Sequence, residues 1–247
     1  ITSQINNHNN TYSLGFFDGY EETDIPTTSK ILIKLNEDLT IDHSFSVGAG
    51  FNEVVYSGSS VKQQPNGKLI VTGSYTSYQG VNANRIIRLN TDGTRDNTFV
   101  IGTGFNSVTQ IPCISSTGKI YVPGQFTTYN GVASNKLARL NADGSLDLTF
   151  PVGASGFNNI ATQVLENDDL SIIVTFYGNT WQGLPCGNKC VKLTSTGALV
   201  PGFNSGTGFG SPHPRPAIYM ARFDGETSFY CSGTFNSFNG ITYGSIV

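Results

Sequence analysis

Three segments of the chain place oxygen-bearing side chains at every second position. Oxygen ligands in this pattern are typical of a calcium loop, so hairpins of the Asp92/Asp96 type are candidates for Ca²⁺. The downstream bidentate glutamate of such a loop is missing, and a fourth copy at 194–200 has no carboxylate. We therefore favour a structural interpretation, in which Asp-Gly makes the turn and the last aspartate caps backbone N–H groups. The segments read Asn36-x-Asp38-x-Thr40-x-Asp42, Asn90-x-Asp92-x-Thr94-x-Asp96 and Asn141-x-Asp143-x-Ser145-x-Asp147.

The cysteines and histidines show no recognised catalytic or metal-binding pattern. Cys186 and Cys190 form a lone C-x₃-C without a second ligand pair or a neighbouring histidine, which argues against zinc. A local disulfide between them is conceivable in an extracellular chain. Cys113 and Cys231 fall on predicted strands of different repeats, where we expect buried apolar side chains rather than a bridge. The histidines occupy unrelated positions: His8, His43 and His213.

An insertion relative to the neighbouring repeats covers residues 211–224. It contains Ser211-Pro-His-Pro-Arg-Pro216, and three prolines in six residues predict a stiff, exposed loop. Insertions in repeat proteins tend to lie on one face, often the binding face, so His213 and Arg215 are candidate binding residues. The alternative is a tolerated surface insertion without a partner.

Aromatic residues recur at matching places in successive repeats. Such rings could stack on sugars, but their presence in every copy favours packing between repeats. Trp181 is the one copy with a different ring, in a repeat where Gly178 has moved along its phrase. A repeat that breaks the pattern is the place to look for a ligand site, so Trp181 is a candidate binding residue. The series is Tyr75, Tyr78, Phe126, Tyr129, Tyr177, Trp181, Phe235 and Phe238.

These residues recur because the chain repeats itself with a period of about 52 residues. A Gly-Phe phrase has its phenylalanine at 51, 105, 157 and 209, and a second phrase ends at Gly80, Gly131, Gly183 and Gly240. A third phrase, of the type Ile-Arg-Leu-Asn, occupies 33–36, 87–90, 138–141 and 191–194. A period of this length indicates a solenoid, a propeller or a similar array.

One period, residues 107–158, shows which elements must position these side chains. Alternating apolar residues and turn signals predict four short strands and no helix. Asp143-Gly144 predicts a type I′ hairpin turn. Four antiparallel strands per repeat are typical of a propeller blade, so the predicted fold is an all-β propeller of four-stranded blades. The predicted strands are Ser107–Ile111, Lys119–Val122, Lys136–Leu140 and Leu146–Phe150.

Four to five blades fit into the 247 residues. The register of both ends places them inside strands, so we expect the chain to be part of a longer one; a closed five-bladed ring is the alternative. Basic residues of the third phrase accompany Asp42, Asp96 and Asp147, which predicts polar contacts between blades. We number the blades first (1–52, partial), second (53–106), third (107–158), fourth (159–210) and fifth (211–247, partial).

The three phrases together resemble the delta-60 repeat of propeller-forming bacterial and phage surface proteins. They read Gly-Lys-Leu/Ile-x-Val, Gly-x-Phe/Tyr-Thr-x-Tyr-x-Gly and Asn-x-Ile/Leu-x-Arg-Leu-Asn-x-Asp-Gly-x-x-Asp. The match is dense at 61–106 and 114–158, recognisable at 10–52 and 225–247, and worn at 159–210. The resemblance implies a propeller fold and a place at a surface, but a fold does not determine function.

Composition excludes several classes of protein. Only 13% of the residues are charged, the net charge is −3 and no basic block occurs, which argues against nucleic-acid binding. Apolar runs of four to six residues are too short to insert into a membrane, and 11% aromatic residues argue against disorder. We expect a non-enzymatic, extracellular module without a cofactor, scaffolding or binding a protein or glycan in a phage virion appendage or on a bacterial cell. The alternative is a propeller hydrolase, such as a lactonase, with a metal in the central channel.

Overall fold

The computed structural model describes residues 3–7, 10–15, 31–53, 59–151, 153, 155–186, 189–203, 206–211, 218–221 and 228–242. Within these ranges every regular element is a β-strand. The first and second blades contain β1 (Ser3–Asn7), β2 (Asn10–Gly15), β3 (Ile31–Leu35), β4 (Ser60–Gln63), β5 (Leu69–Thr72), β6 (Ser77–Tyr78), β7 (Val81–Asn82) and β8 (Ile86–Leu89). The third contains β9 (Cys113–Ile114), β10 (Ile120–Pro123), β11 (Thr128–Tyr129), β12 (Val132–Ala133) and β13 (Leu137–Leu140). The fourth and fifth contain β14 (Ala161–Glu166), β15 (Ile172–Phe176), β16 (Thr180–Trp181), β17 (Leu184–Pro185), β18 (Cys190–Leu193), β19 (Phe209–Gly210), β20 (Ile218–Ala221), β21 (Tyr230–Gly233), β22 (Ser237–Phe238) and β23 (Ile241–Thr242).

The second, third and fourth blades share one plan: a three-stranded antiparallel sheet and a separate two-stranded hairpin. In the third blade, β10 lies between β9 and β13, and β11 pairs with β12. A bridge joins Phe105 to Tyr129, so the Gly-Phe phrase that ends one repeat pairs with the hairpin of the next blade. The same bridge joins Phe51 to Tyr78 and Phe157 to Trp181.

Two of the four strands predicted for the third blade are confirmed as β10 and β13. The first predicted strand is displaced: Ser107–Ile111 forms only isolated bridges, and β9 follows Pro112, which has no N–H to donate. The fourth is wrong, because only Leu146 forms a bridge there. The Asp147 side chain accepts a hydrogen bond from the Thr149 N–H at 3.0 Å and bends the chain into a turn.

The hairpin β11–β12 occupies a segment predicted to be a polar loop. Its turn has positive φ at both central residues, 45° at Asn130 and 77° at Gly131, which is the type I′ geometry that matches the twist of paired strands. The type I′ turn predicted at Asp143-Gly144 is wrong. There only Gly144 has a positive φ (91°), and the Asn141 N–H donates to the Ser145 carbonyl at 2.8 Å. This is a three-residue turn with a glycine bulge.

The central strands of the second, third and fourth blades are buried on both faces, because these blades pack face to face. On β5, Leu69 and Val71 share a core with Leu32 of the first blade, whereas Ile70 lies in a second core with Ile120 of the third. Alternate residues of a strand point to opposite faces, so a continuous apolar run such as Leu69–Val71 serves two neighbours at once.

The first strands of neighbouring blades lie side by side, so these strands form the inner edge of the blades. Ile111 forms a parallel bridge with Gln163 on β14. The Gln163 amide in turn donates to the Met220 carbonyl at 2.8 Å and accepts from the Met220 N–H at 2.9 Å. Glu166, at the end of β14, accepts from the Ser116 N–H at 2.8 Å in the preceding blade. Polar side chains therefore join consecutive blades along this edge.

Candidate binding site

The carboxylates of the hairpin at residues 90–96 accept hydrogen bonds and ion pairs from the fold itself. Asp92 caps its own turn, accepting from the Thr94 N–H at 2.9 Å and the Thr94 hydroxyl at 2.7 Å. Asp96 is 4% exposed and accepts from Lys68 Nζ at 2.7 Å and Arg88 Nε at 2.6 Å on the same oxygen. Two protein cations already neutralise this carboxylate, so the arrangement does not fit the calcium site considered at Asp92 and Asp96.

The predicted polar contacts between blades are confirmed at the arginines that pair with Asp96 and Asp147. Arg88 pairs with Asp96 inside its own blade and also donates to the carbonyl of Ala142 in the turn of the next blade. Arg139 repeats this, pairing with Asp147 at 2.8 Å and donating to the carbonyl of Ser195. We call each such arginine–aspartate pair, together with its donation to the next turn, an arginine clasp.

Electrostatics inside a clasp favour the charged carboxylate. Burial alone would raise the pKa of Asp147, but the hydrogen bonds from Lys119 and Thr149 hold that pKa well below its ordinary value. Arg139 also lies over the Phe150 ring, 4.8 Å from its centroid. The charges of the clasp are thus neutralised and packed within the protein, so they stabilise the fold rather than meet a ligand.

The structure places Trp181 in the core. It is 2% exposed, its ring centroid lies 4.5 Å from that of Phe157, and its Nε1–H donates to the Gly197 carbonyl at 2.8 Å. Tyr129 does the same in the third blade, donating to the Gly144 carbonyl at 2.5 Å. Tyr75, Tyr78, Phe126, Tyr129 and Trp181 are buried and pack, as favoured above, so the Trp181 ring is not placed to meet a ligand. Tyr177 is only partly buried, because Phe176 supplies the ring that packs on Phe157. His213 and Arg215 lie outside the described residues.

The four cysteines are free thiols, so no disulfide joins Cys186 to Cys190. Burial raises the pKa of the Cys113 and Cys186 thiols to about 11, which keeps them protonated and weakly nucleophilic near neutral pH. Cys113 and Cys231 are partly buried against different apolar clusters. Across the described ranges, no group of three or more His, Cys, Asp or Glu side chains is arranged to hold a metal ion.

A cavity of about 290 Å³ opens in the fourth blade, the repeat in which the phrase is displaced. In the third blade the Phe126 ring lies 4.3 Å from that of Phe105; in the fourth, Phe176 takes this place, 4.5 Å from Phe157. In the fourth blade the packing ring therefore belongs to a residue two positions earlier in the repeat. The position that aligns with Phe126 is Gly178. The cavity is lined by Asn158, Asn159, Tyr177, Gly178, Asn179 and Lys189.

Three elements position the lining of this cavity. Asn158 follows the bridge at Phe157, and its Oδ1 accepts from the Asn179 N–H at 3.1 Å. Lys189, next to β18, donates from Nζ to the Tyr177 carbonyl at 2.7 Å, and burial lowers the pKa of its ammonium group. A Cβ on Gly178 would lie 1.9 Å from Asn158 Oδ1, so this close approach requires glycine. The displaced glycine was the one sequence signal for the site, but it pointed to Trp181 rather than to these residues.

Stacked sheets, each with its own hairpin, define an all-β propeller of repeated blades, and the predicted fold class is confirmed. A family model described as a domain of unknown function (DUF5122) beta-propeller matches the chain twice, at residues 64–99 and 115–150. Both matches lie in the blades that carry arginine clasps. No curated protein matches the chain. In the described part of the chain, no helix is long and apolar enough to cross a membrane.

Proposed function

We propose that this chain is a non-enzymatic propeller module that scaffolds or binds a protein or glycan partner at an extracellular surface. The resemblance of its phrases to the delta-60 repeat supports a bacterial cell surface or a virion appendage such as a phage tail as its place. Low charge and the many asparagine, serine and threonine residues agree with a surface of amides and hydroxyls.

One observation carries this proposal: the buried arginine–aspartate pairs that recur in the second and third blades are used to join blades. Asp96 and Asp147 are buried in arginine clasps, and Glu166 is held by Ser116 of the preceding blade. A hydrolase of the channel-metal kind would instead need carboxylates converging on an ion. The cavity of the fourth blade is lined by amides, a tyrosine and a lysine, which suit recognition rather than hydrolysis.

The test combines binding with chemistry on the same purified chain. The labelled chain is applied to intact bacteria and to an array of bacterial surface glycans, with heat-unfolded chain as the control. In parallel, the native chain is analysed for bound metals and assayed with lactone and ester substrates with and without added Ca²⁺ or Zn²⁺. We expect saturable binding by the folded chain alone and hydrolysis at the background rate.

Localisation is tested in the source cells or particles with antibodies against the chain. Labelling of intact surfaces is the expected result. A stoichiometric, tightly held divalent ion coupled to hydrolytic turnover would overturn the proposal in favour of a propeller hydrolase, and labelling confined to the cell interior would contradict the surface placement.

A further inference from the structure

The lining of the fourth-blade cavity differs in chemistry from the same place in a regular blade. Alignment of the two repeats puts Asn159 opposite Ser107, Tyr177 opposite Gln125 and Asn179 opposite Thr127. Gly178 falls opposite Phe126, whose ring is fully buried. In the fourth blade the packing ring comes from Phe176 instead. Two asparagines and a tyrosine now stand where the third blade has a serine, a threonine and a glutamine. Neither change is needed to build a blade, because the third blade forms the same sheet and hairpin without them.

Hydrogen-bond donors exceed acceptors in this lining. The oxygen of Asn159 accepts from the Ile160 N–H at 2.8 Å, and the oxygen of Asn179 accepts from Asn158 Nδ2 at 2.9 Å. The Nδ2 groups of Asn159 and Asn179 have no hydrogen-bond partner among the described residues. Lys189 uses one donor on the Tyr177 carbonyl, and an ammonium has three. The cavity thus offers N–H groups and one positive charge, and none of its lining residues is acidic.

We propose that this cavity binds a carboxylated pyranose, a single hexuronate-type sugar ring, with its carboxylate at Lys189. A volume of about 290 Å³ lies at the small end of ligand pockets, which suits one ring rather than an extended chain. The asparagine amides can donate to hydroxyl and carboxylate oxygens, and Tyr177 adds an aromatic side chain to the lining. The inference rests on the proposed binding function and names the ligand class of this site.

The third blade supplies a matched control for the lysine. Lys136 has the same φ as Lys189, 69°, and donates from Nζ to the Gln125 carbonyl at 2.7 Å, as Lys189 does to Tyr177. Lys136→Gln and Lys189→Gln therefore remove the same structural bond from two blades. Only the second also removes a charge from the cavity.

The experiment is a titration of the full chain with methyl β-glucuronide, followed by calorimetry and ligand-observed NMR. Methyl β-glucoside is the uncharged twin of this probe, and inorganic phosphate tests for simple anion binding. We expect saturable glucuronide binding with a dissociation constant on the order of 1 mM, as for a ligand of this size. We expect Lys189→Gln to weaken it about tenfold or more and Lys136→Gln to leave it unchanged.

A second variant, Tyr177→Gln, restores the residue of the regular blade and is expected to weaken binding with the fold retained by circular dichroism. The proposal is overturned if glucuronide does not bind, if glucoside or phosphate binds as well, or if the two lysine variants behave alike. Should glucuronide fail while the chain still binds cells or other glycans, the proposed function stands and only this site assignment falls.

Discussion

The third and fourth blades share a backbone plan, yet the charged side chains on their last strands are used differently. In the third blade, Arg139 and the buried Asp147 form a clasp that reaches the turn of the fourth. In the fourth, Val200 aligns with Asp147, and Lys192 pairs instead with Asp169, 3.4 Å away and 63% exposed. A buried, shared charge has been replaced by a surface pair.

The backbone hydrogen bond at this position is the same in both blades. The Asp147 N–H donates to the Arg139 carbonyl at 2.8 Å, and the Val200 N–H donates to the Lys192 carbonyl at 3.0 Å. Backbone pairing and apolar packing are therefore enough to form a blade, and the clasp adds coupling between blades. The fourth blade, which lacks the clasp aspartate, is also the blade that contains the cavity.

Loss of a clasp carboxylate should cause the largest difference in stability between substitutions in the two blades. Asp147→Asn leaves Arg139 and Lys119 charged and without their partner in a site where Asp147 is 3% exposed. Breaking a buried pair from one side costs about 3–5 kcal/mol, so we expect the free energy of unfolding to fall by that amount. Urea denaturation followed by the fluorescence of Trp181, the one tryptophan of the chain, measures it.

Lys192→Met in the fourth blade is the matched control for this loss. It removes the surface pair with Asp169 and should change the urea midpoint little, since exposed pairs contribute little to stability. Equal losses from the two substitutions would show that the clasp adds no more than a surface pair does.

Acid should weaken the clasps by protonating their aspartates, with a smaller effect on the free energy of unfolding than the substitution of Asp147. The pKa values of Asp96 and Asp147 are held below the unfolded value of about 3.9, so the stability they add is complete above that value. It is lost as the pH falls toward the lower folded values. Unfolding free energy should therefore decline from about pH 4 downward, as measured by urea titration at several pH values. A variant carrying Asp96→Asn and Asp147→Asn should show a flatter decline; an equally steep one would assign acid sensitivity to other groups.

Substitution of Trp181 tests whether the tyrosine of the third blade can replace the tryptophan of the fourth. Trp181→Phe removes the donor to the buried Gly197 carbonyl and some buried volume, so we expect a loss of about 2 kcal/mol. Trp181→Tyr should cost less, because Tyr129 makes the equivalent bond in the third blade. Thermal unfolding by circular dichroism compares them, and a tyrosine variant no better than phenylalanine would mean that the hydroxyl cannot reach Gly197.

Sequence patterns predicted the blade core well and its connections poorly. The predicted strand Lys119–Val122 was readable because Ile120 and Val122 are buried on one face and Tyr121 on the other, and the recurring rings were readable as packing. The alternation around Leu146–Phe150 misled, since Leu148 is 69% exposed and Asp147 bends the chain through its side chain. Strands of two residues, such as Thr128–Tyr129, are too short for a periodic signal, although Asn130-Gly131 was present as a turn signal.

The cavity was beyond sequence reasoning for a different reason. It depends on Phe176 reaching the space that Phe126 fills from two positions further along the phrase. Spacing revealed that Gly178 was displaced, but only the packed structure shows which side chain replaced the ring and what then surrounds the space.

The smallest predicted effect concerns a glycine that faces the hairpin turn. Gly48 and Gly102 have nearly the same φ, 52° and 56°, so alanine meets similar backbone strain at both. A Cβ on Gly102 would lie 2.1 Å from Asn130 Oδ1, whereas a Cβ on Gly48 would lie 3.1 Å from Gln79 Nε2. The sequence of the fourth blade has Ala154 at this position together with Gln182.

Gly102→Ala should therefore destabilise the chain by about 1 kcal/mol more than Gly48→Ala, because only the first adds a steric clash to the shared strain. Asn130→Gln in the Gly102→Ala background should recover part of that difference, since the longer side chain carries its amide away from the new methyl group, as in the second blade. A double-mutant cycle by urea denaturation measures the coupling. Additive losses would mean that Ala154 and Gln182 occur together by chance. Favourable coupling would mean that Gln182 makes room for the methyl group of Ala154 in the fourth blade.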